Sequence, residues 1–160
     1  MFAVIKHSPD QQIFHYRSLL LNIHWDGWTS EHLSTISDAC AKLVKEWGQM
    51  CSIVIMRGDI NVDLSSETRR VGAELTSKFE HYNRGQAIVV EADGFRASMV
   101  RSVITGINLV ARSRAKQRVF KDPEEATYWL CTLDTQPPEI RDTHAQTWAE
   151  IEKLLREVRA

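Results

Sequence analysis

Two short apolar runs, Cys51-Ser52-Ile53-Val54-Ile55-Met56 and Ala87-Ile88-Val89-Val90, restrict the fold of this chain more than any other feature. Each is dominated by β-branched residues and is too short for a helix of ordinary length. A strand that is apolar along its length, rather than at alternate positions, is covered on both faces, as central strands of a parallel sheet are. Parallel neighbours need a crossover, and the segment between the runs supplies one. After a polar loop from Arg57 to Leu64, a helix from about Ser66 to Tyr82 places Val71, Leu75 and Phe79 at four-residue intervals.

The same alternation extends both ways. Phe2–His7, Gln12–Tyr16 and Leu19–Trp25 suit strands, the third strongly apolar, with Asp26-Gly27 ending it. Thr29 or Ser30 then caps a helix to about Trp47, whose stripe is Leu33, Ile36, Cys40, Leu43, Val44 and Trp47, and Gly48 suits its end. Phe95 to Val110 reads as a helix with Phe95, Met99, Val103, Ile107 and Val110 inward, followed by a short strand at Gln117–Phe120. Asp122-Pro123-Glu124-Glu125 combines an N-cap, a proline at N1 and a glutamate at N3, and Ala126, Trp129, Leu130 and Leu133 carry that helix on. Strands alternating with helices imply α/β architecture: a mixed sheet of five to six strands covered by helices. Gln136-Pro137-Pro138 separates residues 1–134, the α/β domain, from residues 135–160, a linker and a last amphipathic helix from about Glu139 to Val158.

Composition removes several function classes. With 160 residues, 43% hydrophobic and 26% charged, the chain matches one folded domain rather than a disordered segment. A formal net charge of −1 does not suit a nucleic-acid binder. No run approaches the ~18 apolar residues of a membrane span, so no membrane insertion is expected. The first residues lack a signal peptide's basic start and apolar run, and the three cysteines are odd in number and without a CxxC pair; a cytoplasmic setting is expected.

The order of an apolar strand, a polar loop, Asp63-Leu64-Ser65-Ser66 opening a helix, a second buried strand and helix, and Arg118-Val119-Phe120 running into a capped helix resembles the STAS domain of anti-sigma-factor antagonists. The ending Val119-Phe120-Lys121-Asp122-Pro123-Glu124-Glu125-Ala126 with Trp129-Leu130 resembles more closely the SpoIIAA-like, or STAS/SEC14-like, group of bacterial proteins of unassigned function. The match centres on Arg69-Arg70, Gly85, Arg101 and Val119-Phe120 and spans roughly residues 19–133. The resemblance implies a phosphorylatable serine at the start of the helix after the central strand, here Ser65 or Ser66. A helix N-terminus is a favourable place for a phosphate. The other reading is a plain N-cap, and Glu67 stands where such antagonists usually have glycine.

Other candidate sites are few. Six histidines include no pair at metal-ligand spacing, although His24, Asp26 and His32 make a chance set; no metal or cofactor is expected. GxSxG, phosphate-loop and GxGxxG motifs are absent, and Cys40, Cys51 and Cys131 border apolar positions, so no catalytic residue is assigned. Residues 94–121 carry seven basic and no acidic side chains. Arg96, Arg101, Arg112, Arg114, Lys116 and Arg118 are candidates for binding an anion or an acidic partner, against the plainer reading of a solvated helix end. Trp148, Ile151, Leu155 and Val158 form an apolar seam that docks on this domain or on a second copy. The leading expectation is a non-enzymatic protein-interaction or signalling module, with another protein as partner and a homodimer as one form. The alternative is a SEC14-like carrier of a small apolar or lipid ligand.

Overall fold

The structure is a computed structural model that describes residues 2–25, 28–59, 61, 63 and 65–158. Asp26 and Gly27, read as a strand end, and Ile60, Val62 and Leu64, read as part of a loop, lie outside the described residues. Six strands form one sheet: β1 (Ala3–His7), β2 (Gln11–Tyr16), β3 (Leu19–Trp25), β4 (Met50–Arg57), β5 (Asn83–Val90) and β6 (Gln117–Phe120). Their spatial order is their order in the chain. β1, β2 and β3 are antiparallel, whereas β3 to β6 are parallel. The sheet is therefore mixed, and α/β, as the apolar runs require.

The helices are α1 (Ser30–Trp47), α2 (Ser66–Phe79), α3 (Phe95–Ala111), α4 (Pro123–Cys131), α5 (Pro138–Arg141) and α6 (His144–Glu157). Because β3 to β6 advance in one direction, right-handed crossovers put α1, α2 and α3 on one face. The chain then turns under β6, and α4, α5 and α6 cover the other. All of β4 is buried, and its side chains divide between the two layers. Val54 and Met56 join Leu33, Leu43, Phe79 and Val103; Ile53 and Ile55 join Ala126, Leu130, Ile140 and Ile151. This two-sided burial makes the run apolar at both odd and even positions.

Local signals account for the ends of the helices. Thr29 and His32 cap α1 reciprocally, and Gly48 closes it at a left-handed φ of 68° that a side chain would strain. Asp122 Oδ1 accepts from the backbone N–H groups of Glu124 and Glu125 at the start of α4.

Three expectations change. In α3 the inward residues are Val100, Val103, Ile104 and Ile107, while Phe95 and Val110 point outward. The face rests on α2, where Gly72 has no side chain and Ile107 packs directly over it. Val100, Val103, Ile104 and Ile107 together make a standard i, i+3, i+4, i+7 face. Trp47 does not join the α1 stripe; at the last turn it is exposed. Finally, the terminal helix is broken at Asp142-Thr143. There the Thr143 hydroxyl donates to the Glu139 and Ile140 carbonyls at the end of α5.

Candidate functional site

Between the sheet and α1–α3 lies a cavity of about 80 Å³. Its sheet wall is formed by Leu20 and Asn22 of β3 with Ser52, Val54 and Met56 of β4; Trp28, just before α1, closes one side, and Ile104 and Ile107 of α3 form the roof. The void is large enough for several waters or one small organic molecule. Among the described residues none that lines it is charged.

Its polar atoms fall into two groups. Toward β5 and β6 they satisfy one another: Asn108 donates to Gln117, Gln117 to Gln86, and Ser113 Oγ accepts from the Ala115 N–H. On the sheet wall they do not. Asn22 Oδ1, Ser52 Oγ and Trp28 Nε1 are buried and have no hydrogen-bond partner among the described residues. Register sets Ser52 opposite Leu20 and Val54 opposite Asn22, so Asn22 and Ser52 are diagonal neighbours on one face. Unpaired polar groups of this kind are rare in folded proteins and cost about 1–3 kcal/mol each.

The Asn22 carboxamide is held from behind. Its Nδ2 lies 2.7 Å from His24 Nε2, and His24 is fully enclosed by the sheet and α1. Burial above all, with His32 alongside as a lesser cause, pushes the His24 pKa down to about 3. The imidazole is thus neutral, and its Nε2 shares one hydrogen bond with the Asn22 carboxamide. His32 packs edge-on against His24 with ring centroids 5.3 Å apart. Both His32 nitrogens are engaged: Nδ1 accepts from the Thr29 N–H at 3.2 Å, and Nε2 donates to Asp10 Oδ2 at 2.9 Å. A hydrogen bond from His32, then one from Ser8, holds the Asp10 pKa down at about 2. This chain of contacts is a brace for the wall.

None of the three cysteines is poised as a nucleophile. Cys40, on the cavity wall, is pushed up to about 12 by burial, so its thiol stays protonated. Cys131 is likewise at about 12, and Cys51 is raised well above the usual thiol value, each chiefly by burial. No group of three histidine, cysteine or acidic side chains suited to a metal occurs among the described residues; Asp26, part of the chance set, lies outside them.

The sequence-predicted candidates lie elsewhere. Ser65 is the N-cap of α2: its hydroxyl donates to Asp63 Oδ2 at 3.0 Å and accepts from the Thr68 N–H. Hydrogen bonds from Thr68 and Ser65 hold the Asp63 carboxyl below its ordinary range. A phosphate on Ser65 would displace the cap and face that carboxylate. Ser66, the first residue of α2, is exposed. The basic residues are spread rather than gathered. Arg96 pairs with Asp59, Lys116 with Asp134 at 2.5 Å, and the Arg118 guanidinium lies 5.1 Å over the Phe120 ring. The backbone of Arg114 donates to Glu80, so carboxylates distant in sequence offset the acid-free window in space. Arg101 and Arg112 are exposed, as are the nearby Leu109 and Val110. In α6, Ile151 and Leu155 are buried in the core beneath the sheet, Trp148 and Val158 half-buried. The Arg57 guanidinium fixes that helix, donating to the Leu155 carbonyl at 3.1 Å and to Glu91 Oε2 at 2.7 Å.

Sequence reasoning missed Asn22 and Ser52. Each is a lone polar residue inside an apolar strand, Leu19-Leu20-Leu21-Asn22-Ile23 and Cys51-Ser52-Ile53, and that interruption was the available signal.

A mixed sheet in chain order, with three helices on one face and the following helices on the other, is the SpoIIAA-like fold. A solved structure of this kind is similar: an uncharacterized protein of the DUF3478 family from Shewanella loihica PV-4, described as having a SpoIIAA-like fold. The likeness covers 82% of this chain and 93% of that one, at a TM-score of 0.51 and 15% sequence identity, and concerns the fold alone. No family model and no curated protein matches the chain. No helix among the described residues is long and apolar enough to cross a membrane.

Proposed function

We propose that the chain is a non-catalytic binding module that houses a small, mostly apolar ligand between its sheet and α1–α3. One observation carries this reading: a cavity with no charged lining among the described residues keeps two buried polar atoms in its sheet wall, Asn22 Oδ1 and Ser52 Oγ, without protein partners. A cavity that served packing alone would have an apolar wall at those positions. Denaturing extraction of the purified chain, followed by mass spectrometry, tests it. A small organic molecule released in stoichiometric amount, and lost from a Val54→Phe variant that fills the space, supports the reading. Clean extracts from both proteins would count against it.

A second reading, a protein-interaction module, is favoured by the outer face of α3. There Phe95, Leu109 and Val110 are 79%, 74% and 68% exposed, beside Arg101 and Arg112. An acidic protein surface with an apolar centre is the complementary partner. Within this reading Ser66 is the hydroxyl open to a kinase, because that of Ser65 is committed to the cap. A partner captured by the wild type and lost with Leu109→Ser or Ser66→Asp would support it; a partner indifferent to both would speak against it.

A further inference from the structure

We infer that the outward face of α3 is a docking surface for an acidic, amphipathic α-helix of a partner protein, with Arg101 and Arg112 as the cations that meet its carboxylates. This rests on the protein-interaction reading above and adds the form and charge pattern of the partner.

The shape of the face sets the first requirement. Phe95, Leu109 and Val110 stand exposed outside the buried stripe of α3, and apolar side chains gathered in this way mark interaction surfaces. Between them the surface is low. Ser98 and Ser102 are exposed, and a Cβ at Gly106 would meet nothing within 4 Å. Helical spacing puts Phe95 on one side of this recess and Arg101 with Leu109 on the other. A flat surface would touch only the raised residues, whereas a helix packs its ridge of side chains into such a groove.

Charge sets the second. Residues 94–121 hold seven basic side chains and no acidic one. Several are already engaged: Arg96 with Asp59, Lys116 with Asp134, Lys121 with Asp93, and Arg118 over Phe120. Arg101 and Arg112 are exposed and meet no carboxylate among the described residues. They stand eleven positions apart, about three turns and ~16 Å along the axis, so both lie on one edge of the face. Guanidinium groups take carboxylates in paired hydrogen bonds, which makes an acidic edge on the partner the complement of this one. A second copy of the chain does not fit, because two acid-free faces would set arginines against one another.

Random peptides of about 16 residues, ~24 Å long as helices, are displayed on phage, selected on the full chain and depleted on an Arg101→Glu/Leu109→Ser variant. Both substitutions are at exposed positions. Enriched peptides are expected to carry aspartate or glutamate beside apolar residues at i, i+3, i+4 and i+7. A labelled one should bind at least tenfold more weakly to Arg101→Glu and to Arg112→Gln than to the wild type, and a proline placed at its centre should weaken it as much. Arg101→Glu keeps the test informative should Arg112→Gln disturb the left-handed C-cap that Arg112 forms. Enriched peptides without helical spacing or without acids would overturn this inference and leave the protein-interaction reading standing. No enrichment over the depleting variant would overturn both. Sedimentation of that unenriched wild type with phosphatidylglycerol vesicles, lost with Leu109→Ser, would assign the face to lipid instead.

Discussion

His24 is enclosed beside Asn22 on the face of β3 that α1–α3 cover, and burial holds its pKa at about 3 against 6.5 for the free side chain. Between those values the unfolded chain binds a proton that the folded chain refuses, so stability falls as pH drops through that window. The full effect is on the order of 4 kcal/mol. Urea midpoints should therefore decline between pH 6.5 and 4.5 in the wild type, and a His24→Leu variant should lose most of that slope. Asp10 acts lower. Its pKa is depressed from 3.8 to about 2, so its contribution is present above 3.8 and lost only below. Its carboxylate is largely exposed, which keeps that contribution small. Ser52 leads to a prediction of opposite sign. Its hydroxyl is buried and unpaired, so Ser52→Ala should stabilise the ligand-free chain by about 1 kcal/mol, or raise Tm by about 2–4 °C. A lowered Tm would mean that the hydroxyl has a partner inside the fold. Both residues were visible in the sequence as polar interruptions of apolar strands. What was hidden is that α1 brings His32 against His24 while no hydrogen-bonding group among the described residues meets Ser52 Oγ, because that depends on packing between distant elements.

Among the elements, α2 and α3 meet where Gly72 lies beneath Ile107. A Cβ at Gly72 would stand 2.6 Å from Ile107 Cδ1, so Gly72→Ala must push that side chain aside, and the cavity is the open direction. Helix propensity gains about 1 kcal/mol and overpacking costs about 1–3 kcal/mol, so the net change in stability is small. The yield of small molecule from denaturing extraction, by contrast, should fall severalfold; an unchanged yield would show that the cavity does not depend on this contact. At the opposite layer Arg57→Met should destabilise by about 3 kcal/mol, since Glu91 and the Leu155 carbonyl lose their donor. Hydrogen exchange should then accelerate first in α6. These contacts explain which parts of the helices were legible. Strong amphipathic spacing and caps marked α1 and α4 clearly. The face of α3 was misread because its sequence offers two apolar stripes sharing Val103 and Ile107, and periodicity alone does not choose between them. The break before α6 falls at Asp142-Thr143, which apolar periodicity does not register.

At the scale of the molecule the sheet was the most legible part, because burial on both faces leaves its imprint on every residue of β4 and on the second half of β5. The cavity was not legible, since it is space between side chains rather than a property of any of them. The strand order carries a further consequence, for biosynthesis. Each strand pairs with the one made just before it, so a chain emerging from the ribosome can extend its sheet without waiting for a distant partner. The two faces mature at different times, however. α1, α2 and α3 are interleaved with the strands and cover their side as synthesis proceeds, whereas α4, α5 and α6 all follow the last strand. Until they appear, Leu21, Ile53, Ile55 and Val89 face water on a nearly finished sheet. The nascent protein is then most exposed to self-association late in translation, when most of its fold is already built.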